Sequence, residues 1–372
     1  MTIVYCIFSL ADPGGMQRAL TVKANYLTEV AGHSVHIITR TRTHSATAER
    51  PHFELSPLVK VHPTGSSYRS ELTALLYVIR PDITVSLYGE ESRFLYKIAD
   101  GSKKILEFHF TKNHLVHLVR GLPNVHFRQL RLHYVRLLQY LDERCAPNYD
   151  RLVLLTEADR KLWNNPSNAV VIPNPLSFTS VRKSDLLNQR ILAAGRLIAT
   201  KGFDLLIEAF RLIAPQYPDW KLSIFGEGQD HQLLLDRIRQ YKLEQQIEIL
   251  PPTPDLASEL LCSAIYAAPS RYEGFGLVIT EAMECGVPTV AFDCECGPRE
   301  IIRHGVDGLL VEPQNIERFA EALSRLIKSP ILRNRLGKNA LLSAGRFAEG
   351  KIMQQWEELF HSLIRTTSPM HV

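Results

Sequence analysis

Two glutamates, Glu273 and Glu281, stand with seven residues between them in SRYEGFGLVITEAMECGVPTV. Gly274 and Gly276 follow the first, and the second sits among Val278, Ile279, Ala282 and Met283. A lone carboxylate in an apolar stretch is costly to bury. Glu281 therefore needs a partner, and a ligand carrying hydroxyl groups would serve. The stretch reads as a strand end, a glycine turn and a helix opened by the N–H groups of Phe275, Gly276 and Leu277. Glu281 is then expected about two turns along, near the face of Glu273 and roughly 10 Å deeper at ~1.5 Å per residue. That spacing does not suit an acid/base pair on one bond. It suits two grips on one long ligand.

Cations stand at a second place of this kind. In AAGRLIATKGFDLLIEAF, Arg196 directly follows a strand and Lys201 lies five residues on. An arginine fork and a lysine point charge at one strand end suit a diphosphate. Two solvated surface cations would be the plainer reading, but Gly195 and Gly202 beside them favour an anion site. In DPGGMQR, Gly14 and Gly15 lie between the first strand and the first helix. Their backbone could approach a phosphate at the helix N-terminus, although a strand-to-helix turn needs glycine in any case. FGEGQD, with Gly226, reads as a turn that shapes the pocket. His109 ends the strand of KKILEFHF and is expected at the rim of the first half's crevice. Histidines 114, 117, 126 and 133 read as ordinary surface residues, and Glu90 stands at another strand end without a spacing that argues for a role.

The elements that must position these residues alternate along 372 residues, a length that suggests two domains. Apolar content of 45% and charged content of 22% are those of a soluble globular protein. The N-terminus reads as a buried strand and not a signal peptide, and no uncharged run is long enough to span a bilayer. Six cysteines are scattered, and the CEC at 294–296 has no second pair or histidine cluster to make a metal site, which suggests reduced thiols in the cytoplasm. Residues 1–175 carry 21 Lys and Arg against 15 Asp and Glu, whereas the remainder carries 22 against 24. The basic half is expected to face something anionic. Apolar strands at TIVYCIFSL, HSVHIITR, ITVSL, KKILEFHF and RLVLLT, then RILAAGRL, KLSIFGEG, IEIL, AIYAAPS and PTVAF, are separated by amphipathic helices. Such alternation predicts an α/β protein with two doubly wound parallel sheets whose ligands bind at strand carboxyl ends. The join is placed in VVIPNPLSFTSVRKSDLLNQR, giving domains 1–175 and 176–350. A tail helix at about 351–372 is expected to pack back on the first.

Together these elements resemble the retaining nucleotide-sugar glycosyltransferases of the GT-B fold, glycosyltransferase family 4. EGFGLVITE matches the E-x(7)-E signature, GRLIATKG the "GR…KG" element, GGMQR the glycine-rich first loop, and PREIIRHGVDGLLVEP the segment after the signature. The resemblance implies two Rossmann-like domains facing each other across a cleft. It gives Arg196 and Lys201 to the donor diphosphate and its developing charge, with Gly14 and Gly15 approaching from the other domain. Glu281 would take the ribose hydroxyls, while Glu273, Gly274, Phe275, Gly276 and Leu277 would hold the sugar and its phosphate. Leu250, Pro252 and Thr253 would line the base pocket, shaped by Gly195 and Gly226, and His109 would hydrogen bond to the transferred sugar. The front-face attack that the resemblance implies needs no enzyme nucleophile, and no Asp-x-Asp motif calls for a metal ion. The nucleotide-sugar is a substrate, so no cofactor is implied.

The implied activity moves a hexose-type sugar to a hydroxyl of a glycan or lipid-linked acceptor, in cell-surface polysaccharide or lipopolysaccharide synthesis. A GT-B-like sugar-nucleotide epimerase and a non-catalytic nucleotide-sugar binder are the alternatives. A dinucleotide-binding dehydrogenase fits poorly, since GEGQDH and GGMQRA both lack the third glycine. HFRQLRLHYVRLLQYL, with Arg128, Arg131 and Arg136, allows two readings. One is a basic amphipathic face on anionic lipid at the inner membrane surface, and the other is a helix with a solvated basic face. Nucleic acid is not expected, because the aromatic and basic residues are not arranged as the stacking platform it would require, and no zinc-finger or RNA-motif spacing appears.

Overall fold

The computed structural model describes residues 1–40, 50–121 and 128–365, so His126 and the end of the tail lie outside the described residues. The chain divides into two compact units. One comprises Met1–Lys112, His133–Ser177 and the chain from Phe347, and the other Asn113–Leu132 and Phe178–Arg346. Asn113–Leu132, read from sequence as part of the first domain, groups with the second unit, where Asn113 and His117 both reach Glu295.

The first unit holds a seven-stranded parallel sheet in the order β3-β2-β1-β4-β5-β6-β7. These strands are β1 Thr2–Ile7, β2 Ser34–Arg40, β3 Lys60–Thr64, β4 Ile83–Ser86, β5 Lys103–Phe108, β6 Arg151–Leu154 and β7 Ala169–Val171. Side chains alternate across a strand, and both faces of β1 are covered, which is why it reads as an unbroken apolar run. Ile3, Tyr5 and Ile7 pack with Leu20, Ala24 and Leu27 of the helix Gly15–Glu29, and with Trp356 and Phe360 of the helix Glu349–Arg365. Val4 and Cys6 face the other way, toward Leu72 and Leu76 of the helix Tyr68–Ile79. Strands β3 and β7 escape sequence patterning for physical reasons. The former carries Lys60, His62 and Pro63 at a half-buried edge, and the latter has three residues.

A six-stranded parallel sheet forms the second unit, in the order β10-β9-β8-β11-β12-β13. Its strands are β8 Arg190–Ala194, β9 Lys221–Phe225, β10 Ile247–Leu250, β11 Ile265–Ala268, β12 Thr289–Phe292 and β13 Gly308–Val311. The short β13, opened by glycine, is the one sequence patterning does not set apart. Both sheets are doubly wound. Strand order reverses between β1 and β4 in one and between β8 and β11 in the other, and ligand crevices of such sheets open at these switch points.

Candidate functional site

Two segments leave the switch point of the second sheet, 195–202 after β8 and 269–276 after β11. Arg271 binds them together. Its backbone N–H donates to Thr200 O at 2.9 Å, and its guanidinium donates to Ala199 O and, in a fork, to both oxygens of Asp204, each at 2.7 Å. Burial works to raise Asp204, yet Arg271 and then Arg237 hold its carboxyl below the usual range. Gly202 adopts φ 68°, and a Cβ there would stand 2.0 Å from Pro269 O, so only glycine fits the turn.

This locking delivers Lys201 Nζ to 2.7 Å from Glu273 Oε1, which also accepts a hydrogen bond from Ser270 Oγ at 2.8 Å. Two of the expected grips therefore form an ion pair. Arg196, at the same strand end, is exposed and has no side-chain partner among the described residues. On the other side of the turn, Gly297 has φ 83°, and its Cβ would stand 2.2 Å from Phe275 O and 3.0 Å from Glu273 Cβ. The loop after β12 thus packs backbone on backbone behind Glu273.

Glu281 sits differently from the sequence expectation. Residues 273–276 form a turn, and the helix Leu277–Glu284 begins after Gly276 at φ 110°. Glu281 is therefore one turn into the helix and not two, about 6 Å along its axis. It is wholly buried, whereas Glu273, Gly274, Gly276 and Leu277 are half-buried and Phe275 is buried. Tyr266 reports both carboxylates: burial first, then the charges of Glu273 and Glu281, raise its phenol well above the ordinary range. Burial and Glu273 likewise push the Cys294 thiol up to about 12, with Lys201 opposing.

The other glycines serve the sheet edge. Gly195 N–H donates to Phe225 O and Gly226 N–H to Leu250 O, both at 2.9 Å. A Cβ on Gly226 would stand 2.0 Å from Gly195 O, so the ends of β8 and β9 can touch only without side chains. Leu250 and Thr253 are half-buried and Pro252 exposed at the end of β10, two strands from β8.

In the first unit, Gly14 precedes the helix Gly15–Glu29 in extended conformation, and Gly15 is exposed at its first position. His109 is not at an open rim. It is buried, one residue past the end of β5, with its ring close to Glu107. Its Nε2 lies 2.9 Å from Glu107 Oε1, off the hydrogen-bonding direction. Glu107 also pairs with Lys23, and both side chains are about 1% exposed. Lys23 Nζ stands 4.5 Å from the centre of the Trp356 ring and 5.4 Å from that of Tyr5. Burial acts against the carboxylate, but Lys23 and His109 hold Glu107 at about 2; burial in turn lowers Lys23, with Glu107 opposing.

Two further expectations change. His117 is no surface histidine: it is buried, its ring stacked on Tyr272 with centroids 3.4 Å apart. The helix Arg128–Cys145 buries Val135 and Asp142 but turns Tyr134, Leu137, Tyr140 and Leu141 to solvent together with Arg131, Arg136 and Arg144. Its outer face is apolar as well as basic.

Residues 181–342 match the sequence model of the family described as glycosyl transferases group 1. An uncharacterized glycosyltransferase of Haemophilus influenzae is 28% identical over 95% of this chain and 98% of its own length. Anabaena HepE, solved in complex with UDP-glucose, superposes with a TM-score of 0.76 over 97% of this chain and all of its own, at 19% identity. The chain is a GT-B glycosyltransferase. This glycosyltransferase is also 32% identical to the amylovoran biosynthesis glycosyltransferase AmsD of Erwinia amylovora, over 58% of this chain and 64% of that relative.

The glycosyltransferase thus gathers Lys201, Glu273, Tyr266, Cys294 and Ser270 around one switch point, with Arg196 beside them and Glu281 beneath. Arg271, Tyr266, Gly297, Glu107 and Lys23 escaped sequence reading. A lysine in LTVKANYL looks like a solvated helix residue, and a glutamate in KKILEF like an outward-facing strand residue. Only an i, i+2 pairing with His109 hinted at Glu107.

Proposed function

We propose that this glycosyltransferase is a retaining enzyme that transfers a hexose-type sugar from a nucleotide-sugar to a hydroxyl of a glycan or lipid-linked acceptor without a metal ion. The observation that carries the reading is the Lys201–Glu273 pair at 2.7 Å on the switch point, with Arg196 exposed beside it. Arg196 and Lys201 would share the donor diphosphate, and Glu273 with the Gly274–Leu277 turn would hold the sugar. Glu281 would accept from the ribose hydroxyls, which requires the turn above it to give way, because the carboxylate is buried here. Leu250, Pro252 and Thr253 would meet the base. In the first unit, Gly14 and Gly15 would serve the diphosphate, and His109, held by Glu107, would hydrogen bond to the transferred sugar.

In the step itself the acceptor oxygen attacks the anomeric carbon on the face from which the diphosphate departs. The carbon–oxygen bond to diphosphate breaks with its electron pair going to the phosphate, which takes the acceptor proton. Fixed cations aimed at the charge that develops supply the main stabilisation. HepE was solved with UDP-glucose and AmsD is named for amylovoran synthesis, which supports a nucleotide-sugar donor and a polysaccharide context. Product stereochemistry by NMR, with and without EDTA, tests the reading. Retention that survives EDTA is expected. Inversion or loss of turnover with the chelator counts against it, and donor epimerisation or tight binding without transfer would favour the epimerase or binder.

We also propose that the enzyme works in the cytoplasm against an anionic phospholipid surface. Tyr134, Leu137 and Leu141 are spaced as one helical stripe, flanked by Arg136 and Arg144, in the half of the chain that carries the excess of basic residues. Among the described residues no helix is long and apolar enough to cross a membrane. Flotation should find the enzyme on phosphatidylglycerol vesicles and not on phosphatidylcholine, with Leu137→Glu abolishing it. Equal recovery on both, or a dimer that hides the stripe, would contradict the proposal.

A further inference from the structure

Three side chains outside the grips described above converge on the turn that carries Glu273. The chain leaves the first unit at Lys112 and returns to it at His133, and the helix His114–Gly121 between them belongs to the second unit. Asn113 and His117 are one turn apart and meet one carboxylate from the same side. Asn113 Nδ2 donates to Glu295 Oε1 at 3.0 Å, and His117 Nε2 lies 3.0 Å from Glu295 Oε2. The imidazole lies flat on Tyr272, at 3.4 Å between centroids and 15° between planes. Tyr272 immediately precedes Glu273, and Glu295 stands two residues before Gly297, the residue packed behind Phe275 and Glu273. The cluster therefore clamps the turn from two sides.

Its cost argues that the contact is specific. His117 Nδ1 is buried with no hydrogen-bond partner among the described residues, and a surface histidine would keep the solvation given up there. Ring stacking and the Glu295 contact must offset that loss.

We propose that Asn113, His117 and Glu295 are positioning residues that fix Tyr272 and thereby aim Glu273 at the sugar end of the donor, leaving the diphosphate grips Arg196 and Lys201 to act without them. The inference rests on the nucleotide-sugar reading above. It separates two affinities that a general loss of structure would move together.

The experiment measures, for wild type and variants, the Kd of the nucleotide-sugar that the wild type selects from UDP-, GDP- and ADP-hexoses. The Kd of the matching free nucleoside diphosphate and the melting temperature are measured alongside. His117→Ala and Glu295→Ala should each weaken the intact donor at least tenfold and the free diphosphate less than twofold. The double variant should be little worse than either single one, because both remove the same contact. Glu295→Gln, which keeps the size and one acceptor oxygen, should fall between and guards against misfolding of the alanine variants. Equal weakening of both ligands with a lowered melting temperature would overturn the proposal in favour of a merely structural cluster. So would variants that bind the donor like the wild type. A wild type that binds neither ligand is a different result, which removes the donor reading and this inference with it.

Discussion

Replacing Lys23 by Met tests the buried charge array of the first unit. The ammonium is fully buried between Tyr5 and Trp356 and paired with Glu107, whose side chain is about 1% exposed. Removing one partner of a buried ion pair leaves the other uncompensated, at a cost of about 3–5 kcal/mol. His109 Nε2 still lies 2.9 Å from the same carboxylate, so one contact to it survives the substitution, which favours the lower end. At about 2–4 °C per kcal/mol for a domain of this size, the first unit should melt roughly 6–12 °C lower. Adding Glu107→Gln removes the stranded charge, and Met is long enough to fill the lysine channel. The double variant should therefore recover to within about 1 kcal/mol of wild type. Calorimetry at pH 7 decides. A fall below about 2 °C for Lys23→Met, or a double variant as damaged as the sum of the two singles, would refute the reasoning.

Other expectations follow from the second unit and from titration. Arg196→Ala and Lys201→Ala should each lower the transfer rate by about 10²–10³, the scale of losing one charge-stabilising donor, with circular-dichroism melts near wild type since neither residue is buried. Gly297→Ala must move backbone, because its Cβ would meet Phe275 O at 2.2 Å and φ is 83°; donor affinity should drop and stability fall by about 1–3 kcal/mol, read by denaturant titration. Acid should act in two windows. Burial, then His62 and Lys60, bring His36 from 6.5 to about 4, so the unfolded chain binds the extra proton and stability falls as pH drops through that interval. Glu107, held at about 2 against an ordinary 4.5, contributes stability above 4.5 that is lost as pH falls toward 2. His36→Gln should flatten the first arm of a urea-midpoint profile and Glu107→Gln the second.

Much of this was legible because parallel sheets write themselves plainly. Strands covered on both faces, such as β1 and β8, are unbroken apolar runs, and glycines mark the loops at their carboxyl ends. That places Arg196, Lys201 and Glu273 at one sheet edge from sequence alone. What stayed hidden depends on contacts between distant segments. Arg271 and Asp204 look like solvated charges until the two loops are brought together. His117 looks like a surface residue until its helix is seated on Tyr272 and Glu295. Glu281 lies one turn nearer the helix start than spacing from Glu273 suggests, because residues 273–276 form a turn that helical spacing does not reveal. Strands β3, β7 and β13 are short or carry Lys, Pro or Gly, so their burial is not written in alternation.

The central claim is that the second unit binds a nucleotide-sugar through Arg196, Lys201 and Glu273. Thermal unfolding against UDP-, GDP- and ADP-sugars tests it most directly. A donor at a hundred times its Kd should stabilise the native enzyme by about 2.7 kcal/mol, and Arg196→Ala should erase that shift. A chain that no nucleotide-sugar stabilises, or an Arg196→Ala variant that one stabilises as fully as wild type, would contradict the account.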